Sequence, residues 1–258
     1  MDFSNRYVAL GDSFTEGVGD HAPDLPNGVR GWADRLAAHL ASQDGDWGYA
    51  NLAIRGRKMA QILDEQLEPA LAMQPTLVTI YSGVNDLMRP AVDIDALLVS
   101  YDEAIGRLVG SGAQVLMFTG FDAKVSKIFA RLRGRTAIYN ELVREISDKH
   151  GTGLVDFWRF REFDDWRMWA EDRIHMSAPG HQRMAQRVLD ALGRPSSLPE
   201  PELPDLEAKS AVERLREQAE WTRDHVGPWI GRRVRGASSG DDLAPRWPQL
   251  HQPQPHRP

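Results

Sequence analysis

Apolar residues in this chain recur with two periods that alternate along its length. Tyr7-Val8-Ala9-Leu10 is a short apolar run suited to a buried strand. Trp32, Ala33, Leu36, Ala37 and Leu40 then fall three to four apart, the spacing of one buried helical face. Tyr49-Ala50-Asn51-Leu52-Ala53-Ile54 reads as a second strand, followed by the polar turn Arg55-Gly56-Arg57. Met59, Ile62, Leu63, Leu67 and Leu71 mark the next helix, which Pro75 ends. Thr76-Leu77-Val78-Thr79-Ile80-Tyr81 is β-rich and runs into Ser82-Gly83-Val84-Asn85-Asp86, where polar residues begin.

A long helical stripe follows at Ile94, Leu97, Leu98, Tyr101, Ala104, Ile105 and Leu108, and Gln114-Val115-Leu116-Met117-Phe118-Thr119 returns as a strand. Residues 121–135 are irregular and basic, a loop or short helix over the strand ends. A helix led by Ala137, Ile138, Leu142, Val143 and Ile146 delivers the chain to the strand Leu154-Val155-Asp156-Phe157-Trp158. Met184, Ala185, Val188 and Leu189 mark a closing helix. Strand and helix in repeated alternation predict an α/β fold with a mostly parallel sheet covered on both faces, although strand order is not readable from the chain.

This core domain is expected to span residues 1–192. Pro, Ser and Glu dominate 193–204, which reads as a linker. A C-terminal helical extension is expected over 205–235, with a partial stripe at Val212, Leu215 and Ala219, then Val226, Trp229 and Ile230, and a basic end at Arg232, Arg233 and Arg235. It suits either a helix docked on the same subunit or an amphipathic element touching an anionic membrane or a partner protein, and the short, imperfect stripe favours docking. The polar, Pro-rich stretch 236–258 is expected to be disordered.

Composition narrows the function classes. The chain has 258 residues, enough for one sizeable core, and no cysteine, so disulfides, thiolate chemistry and cysteine-ligated metals are excluded. A net charge of -6 argues against nucleic acid as a partner. Residues 1–6 carry no basic leader, and no stretch is long and apolar enough to cross a bilayer, so a cytoplasmic location is expected.

The candidate chemistry begins at Leu10-Gly11-Asp12-Ser13-Phe14-Thr15-Glu16-Gly17. A serine just beyond a strand, with glycines on both sides of the turn, presents its hydroxyl at the carboxyl edge of the sheet, where open α/β folds place their ligands. The same octapeptide also suits an ordinary turn and helix cap. Far away, Asp172 and His175 stand three apart before Ser177 and Pro179 open a helix. Histidine is suited to accept a serine proton near neutral pH, and a carboxylate on its other ring nitrogen fixes the tautomer. His175 also fits a capping or exposed histidine. His181, inside the helix, reads as a packing or hydrogen-bonding residue. Metal binding by Asp172, His175 and His181 matches no usual zinc spacing and is a minor reading.

Four separated blocks together resemble the GDSL or SGNH hydrolases, a family of serine esterases and lipases. They are Gly11-Asp12-Ser13-Phe14, Gly56 within Asn51-Leu52-Ala53-Ile54-Arg55-Gly56, Gly83-Val84-Asn85-Asp86, and Asp172-Arg173-Ile174-His175. The first block has phenylalanine where the family name has leucine. The resemblance covers residues 7–192 and implies a flavodoxin-like three-layer α/β/α sandwich. It implies Ser13 as nucleophile, His175 as general base and then acid, and Asp172 as its orienting residue. Gly56 and Asn85 are implied as oxyanion-hole donors together with the Ser13 N–H. The implied reaction is hydrolysis of a small-molecule carboxylic ester with a short or medium acyl group, through an acyl-enzyme and with no metal or organic cofactor. Val84, Leu87, Ile174 and Met176 flank the blocks as candidates for an acyl pocket. An acyltransferase or thioesterase using the same triad, or a non-catalytic binding protein on this scaffold, stay open.

Overall fold

The computed structural model describes residues 3–125, 129–205, 210, 213, 216, 219–221, 223–224 and 238–253. Among them six strands form one sheet in the order β5-β4-β3-β1-β2-β6. These are β1 (Asn5–Gly11), β2 (Trp47–Asn51), β3 (Leu77–Tyr81), β4 (Gln114–Phe118), β5 (Gly153–Val155) and β6 (Trp247–His251). All neighbours run parallel except β6, which pairs antiparallel with β2. The first five strands have the flavodoxin-like order 2-1-3-4-5.

Side chains alternate across this sheet, as the pleat demands. Tyr7 and Ala9 of β1 face one core with Leu116 and Phe118 of β4, whereas Val8 and Leu10 face the other with Val115 and Met117. The first core is covered by α2 (Trp32–Gln43) and α7 (Ala178–Ala191), through Trp32, Leu36, Met184 and Val188. Three helices cover the second: α3 (Met59–Ala72), α5 (Ile94–Gly110) and α6 (Arg133–His150), through Met59, Tyr101, Ile105 and Tyr139. Each large side chain buried this way contributes about 1.5–3 kcal/mol. Such strands are apolar throughout because both faces are covered.

The topology also fixes where chemistry can sit. From β1 the chain crosses to β2 on one side, then back past β1 to β3 on the other, so the loops after β1 and β3 diverge at a switch point. Gly11 and Tyr81 are paired at the ends of these two strands, which sets the Ser13 and Asn85 loops side by side.

Several expectations shift. The strand expected to run to Trp158 stops at Val155 and gives way to 3-10 turns at Phe157–Arg159, Arg161–Asp164 and Trp166–Met168. The 121–135 segment forms 3-10 turns at Ala123–Val125 and Phe129–Leu132, and α6 begins at Arg133, ahead of its apolar stripe.

The expected 193–204 linker lies along the domain: Gln182 Nε2 donates to the Pro199 carbonyl at 2.9 Å, and Leu198 and Leu203 pack on the core. Within 205–235, Leu206, Val212, Leu215, Val226, Trp229, Ile230, Arg232, Arg233 and Arg235 lie outside the described residues, and with them the basic end and all of the expected stripe but Ala219, which is helical and exposed. Trp221 is described and buried.

The disorder expected over 236–258 is corrected for residues 238–253. Arg246 is buried to 3% exposure, with Nη1 donating to Asp34 Oδ2 at 2.6 Å and to the Glu16 carbonyl at 3.0 Å. β6 then adds an edge strand, where Pro248 is tolerated for lack of a further neighbour. The buried arginine, Trp247 Nε1 donating to Asp34 Oδ1 at 3.3 Å and the His251 ring tilted against Tyr49 at 5.6 Å hold this stretch, features that its polar composition conceals.

Candidate active site

Ser13 is the first residue of α1 (Ser13–Glu16), a single turn capped by Asp12, whose side chain accepts from the Phe14 N–H at 3.1 Å. The N–H of Ser13 therefore belongs to the amides a helix start leaves without an intrahelical acceptor. Gly11 makes the turn possible: φ is 146°, and a Cβ there would stand 2.6 Å from the Tyr81 carbonyl oxygen. Gln66, buried in α3, brackets the same residue, accepting from Gly11 N–H at 2.8 Å and donating to its carbonyl at 2.9 Å.

Residues 169–176 form a closed loop, joined by an antiparallel bridge between Trp169 and Met176 and by Ala170 N–H donating to the His175 carbonyl at 2.8 Å. Within it Arg173 takes φ of 56°. That turn lets Asp172 Oδ1 accept from both Ile174 and His175 N–H at 3.0 Å, while its Oδ2 meets His175 Nδ1 at 2.5 Å. Burial alone would raise the Asp172 pKa, but the bonds from the His175 ring and the two amides outweigh it and hold the carboxyl at about 2. The carboxylate is thus ionised near neutrality and Nδ1 carries the proton, which leaves Nε2 of the neutral ring as an acceptor.

His181 is separate from this pair. Its Nδ1 accepts from Trp32 N–H at 3.2 Å and its Nε2 donates to the Val18 carbonyl at 3.1 Å. Burial first, then the charge of Arg35, pushes its pKa down to about 3. Both ring nitrogens are engaged, so His181 shares no ligand position with His175. Among the described residues no cluster of three metal-ligating side chains occurs.

Asn85 follows Gly83 in the turn α4 (Val84–Leu87) after β3. Its Nδ2 donates to Asp12 Oδ2 at 2.9 Å and to the Arg57 carbonyl at 3.1 Å, linking the loops after β1, β2 and β3. Asp12 is 3% exposed, and burial pushes its pKa up to about 7, against the Phe14 N–H and the His175 ring, which favour ionisation. Asp86 caps the start of α3 by accepting from Met59 N–H at 2.9 Å.

Gly56 sits beside this network with φ of 79°, and a Cβ there would lie 1.9 Å from Ser238 Oγ. Its left-handed conformation and the C-terminal segment against it both require glycine here. The neighbouring Arg55 is tied to the serine turn: Glu16, fully buried, accepts from Arg55 N–H at 2.6 Å and from its Nη2 at 2.7 Å. Gln66 and Glu16 escape sequence reading. Only the adjacency of Glu16 to the serine motif hinted at a role.

Ser13, Asn85 and His175 line one cavity of about 80 Å³; Gly56 does not. Its remaining wall is mostly apolar and includes the four expected residues Val84, Leu87, Ile174 and Met176, with Phe14, Phe121, Phe157 and Trp169. Phe14 stacks on Tyr81 at 4.1 Å and Phe121 contacts Trp169 at 4.9 Å, so much of this wall is an interlocked aromatic cluster.

The sequence profile of the GDSL-like Lipase/Acylhydrolase family matches residues 9–183, from β1 into α7. The chain belongs to this family. Within the GDSL-like family fold, the chain resembles LAE5, an α/β hydrolase enzyme from the metagenome of Lake Arreo, at a TM-score of 0.60 and 24% identity over 76% of this chain and 99% of that one. Axe2, an acetylxylan esterase from Geobacillus stearothermophilus, gives 0.61 and 18%, covering 75% and 96% of the two chains. The psychrotrophic esterase EstA from Pseudoalteromonas sp. gives 0.58 and 15%, covering 74% and 97%. At these identities the likeness establishes the shared fold. A search of the curated proteins finds no match. No helix among the described residues is long and apolar enough to cross a membrane.

Proposed function

We propose that this GDSL-like protein is a serine hydrolase that cleaves carboxylic esters through an acyl-enzyme. Support comes from one observation above the rest: the Asp172–His175 pair, Ser13 and Asn85 meet at one mostly apolar cavity. In this reading His175 Nε2 takes the Ser13 proton as the hydroxyl attacks the ester carbonyl, and Asp172 stabilises the resulting imidazolium. The oxyanion is met by the Ser13 N–H and by Asn85; the Gly56 N–H, the third donor of this reading, stands outside the cavity lining, next to the Arg57 whose carbonyl Asn85 bonds. In the resting site the Asn85 amide is already shared between Asp12 and the Arg57 carbonyl, so it serves the oxyanion by sharing one of these hydrogens. His175 then protonates the leaving alcohol, and water activated by the same ring releases the acid.

The cavity suggests the acyl group. It has about half the volume of an apolar cavity that takes benzene, roughly 150 Å³. A saturated acyl chain of about four carbons fills such a space, and the interlocked rings resist the widening a longer chain needs. The test is intact-mass labelling with a small fluorophosphonate, paired with turnover of p-nitrophenyl acetate, butyrate and octanoate. One adduct per chain, lost in Ser13→Ala together with turnover, and a butyrate preference are expected. An unlabelled, inactive folded protein would return the chain to a binding role, while faster acyl transfer to added alcohols than to water would make it a transferase.

A further inference from the structure

The C-terminal part of the chain lies beyond the family match, yet it touches the loops on both sides of the site. At the Gly56 loop, Ser238 Oγ donates to the Arg55 carbonyl at 3.1 Å, and Arg57 Nη1 meets Asp241 Oδ1 at 3.2 Å. The contact is tight in both directions. A Cβ on Gly56 would stand 1.9 Å from Ser238 Oγ, and a Cβ on Gly240 would stand 2.2 Å from the Arg55 carbonyl oxygen. Arg57 in turn offers its carbonyl to Asn85. At the other loop, the Arg173 guanidinium lies 4.9 Å from the Trp221 ring centroid and 5.7 Å from that of Trp166. Arg173 is the positive-φ residue that folds Asp172 back onto His175.

We propose that Trp221, Ser238 and Gly240 are positioning residues, through which the C-terminal segment holds the oxyanion loop and the acid–base loop in register across the cavity. The proposal rests on the ester-hydrolase reading. None of the three lines the cavity: Ser238 and Gly240 act through the Arg55–Gly56 backbone they pack against, and Trp221 acts through the Arg173 guanidinium. The β6 strand supplies the anchor for residues 238–253: its pairing with β2 and the buried Arg246 fix them at the edge of the same sheet whose β1 leads into Ser13. Displacement of catalytic donors by about 1 Å is enough to lower turnover up to a hundredfold without contact to substrate.

The experiment uses the full chain, with p-nitrophenyl butyrate as substrate and kcat expressed per fluorophosphonate-titrated Ser13, so that misfolded protein drops out of the rate. Gly240→Ala pushes on the Arg55 carbonyl, and a fall in per-site kcat of about tenfold is expected with KM within about twofold. Ser238→Ala and Trp221→Ala, which remove contacts without adding bulk, are expected to lose about threefold to fivefold, with Trp221→Phe restoring most of the loss because a ring again faces Arg173. Should Gly240→Ala not fold, the other two decide. Per-site kcat equal to wild type in these variants overturns the proposal while leaving the esterase reading intact. Turnover surviving in Ser13→Ala overturns that reading and the proposal with it.

Discussion

Asp12→Asn is the substitution in which stability and activity are expected to part. Asp12 is buried, and its carboxyl is lifted from 3.8 to about 7 mainly by the loss of water around it. Between these values the folded chain keeps a proton that the unfolded chain has released, so wild-type stability falls as pH rises through this window and levels off above it. At 1.36 kcal/mol per unit, burying Asp12 in this site costs about 4 kcal/mol at pH 8, where it is ionised, and under half of that at pH 5, where it keeps its proton. Asparagine caps a helix as well as aspartate and carries no charge, but it offers one acceptor in place of two. With Phe14 N–H using that acceptor, the Asn85 amide loses its partner at Asp12 Oδ2, a cost of about 1–3 kcal/mol. Asp12→Asn is therefore expected to be more stable than wild type by about 1–3 kcal/mol at pH 8, with the advantage shrinking by about 3 kcal/mol at pH 5. Urea unfolding of both proteins across pH 5–8 reads the difference directly, and ester turnover should fall because Asn85 is no longer oriented. Two stability curves that run parallel over this range would refute the reasoning, since they would leave Asp12 ionised at no particular cost.

Two other changes probe the charges around the site. Arg246→Met removes the buried guanidinium from half-buried Asp34 and is expected to cost about 3 kcal/mol in urea unfolding and to open residues 238–253 to proteolysis. A loss below 1 kcal/mol would show that Asp34 is satisfied by its other partners. Asp172→Asn removes a carboxylate held at about 2, whose stabilisation is full above pH 4 and disappears as pH falls through 2; a loss of about 2 kcal/mol at pH 7 is expected, with kcat reduced by about three to four orders of magnitude. Retention of kcat would remove Asp172 from the mechanism.

What the sequence made legible was whatever is local. Strands buried on both faces read as continuous apolar runs, and the helices over them read as stripes, so the sheet's five parallel strands and their covering helices follow from spacing alone. Asp172 and His175 are three apart, and the turn that joins them needs only the positive φ at Arg173. The rest is made by distant pairs. Asn85 reaches Asp12 across 73 residues, Gln66 reaches Gly11 across 55, and neither carries a periodic signal. β6 was hidden for a related reason: an edge strand of Trp247-Pro248-Gln249-Leu250-His251 lacks the alternation of a half-buried strand, and its fixing residue is an arginine that composition counts as solvent-facing.

The same long-range contacts explain why so much charge is buried where the chemistry is placed. Loops after β1, β2 and β3 pack through Phe14, Ile54 and Leu87, but in the proposed reading packing alone would leave them free to shift by the ångström that matters for a developing oxyanion. Polar links add direction to that packing: Glu16 grips Arg55, Asp12 grips Asn85, and Asn85 closes the ring on the Arg57 carbonyl. A hydrogen bond has direction, and in a site closed to water an unsatisfied one is costly, so each link penalises displacement more steeply than a contact between methyl groups. Asp12 shows what this costs in stability, because its raised pKa measures the strain of keeping a carboxylate without water. The aromatic cavity on the other side of Ser13 has the opposite construction, all contact and little charge, which suits a wall that must accept an acyl chain rather than orient it. The division predicts which substitutions separate specificity from rate: changes at Phe121 or Trp169 alter the preferred acyl length, and changes at Asp12 or Glu16 alter kcat for every ester alike.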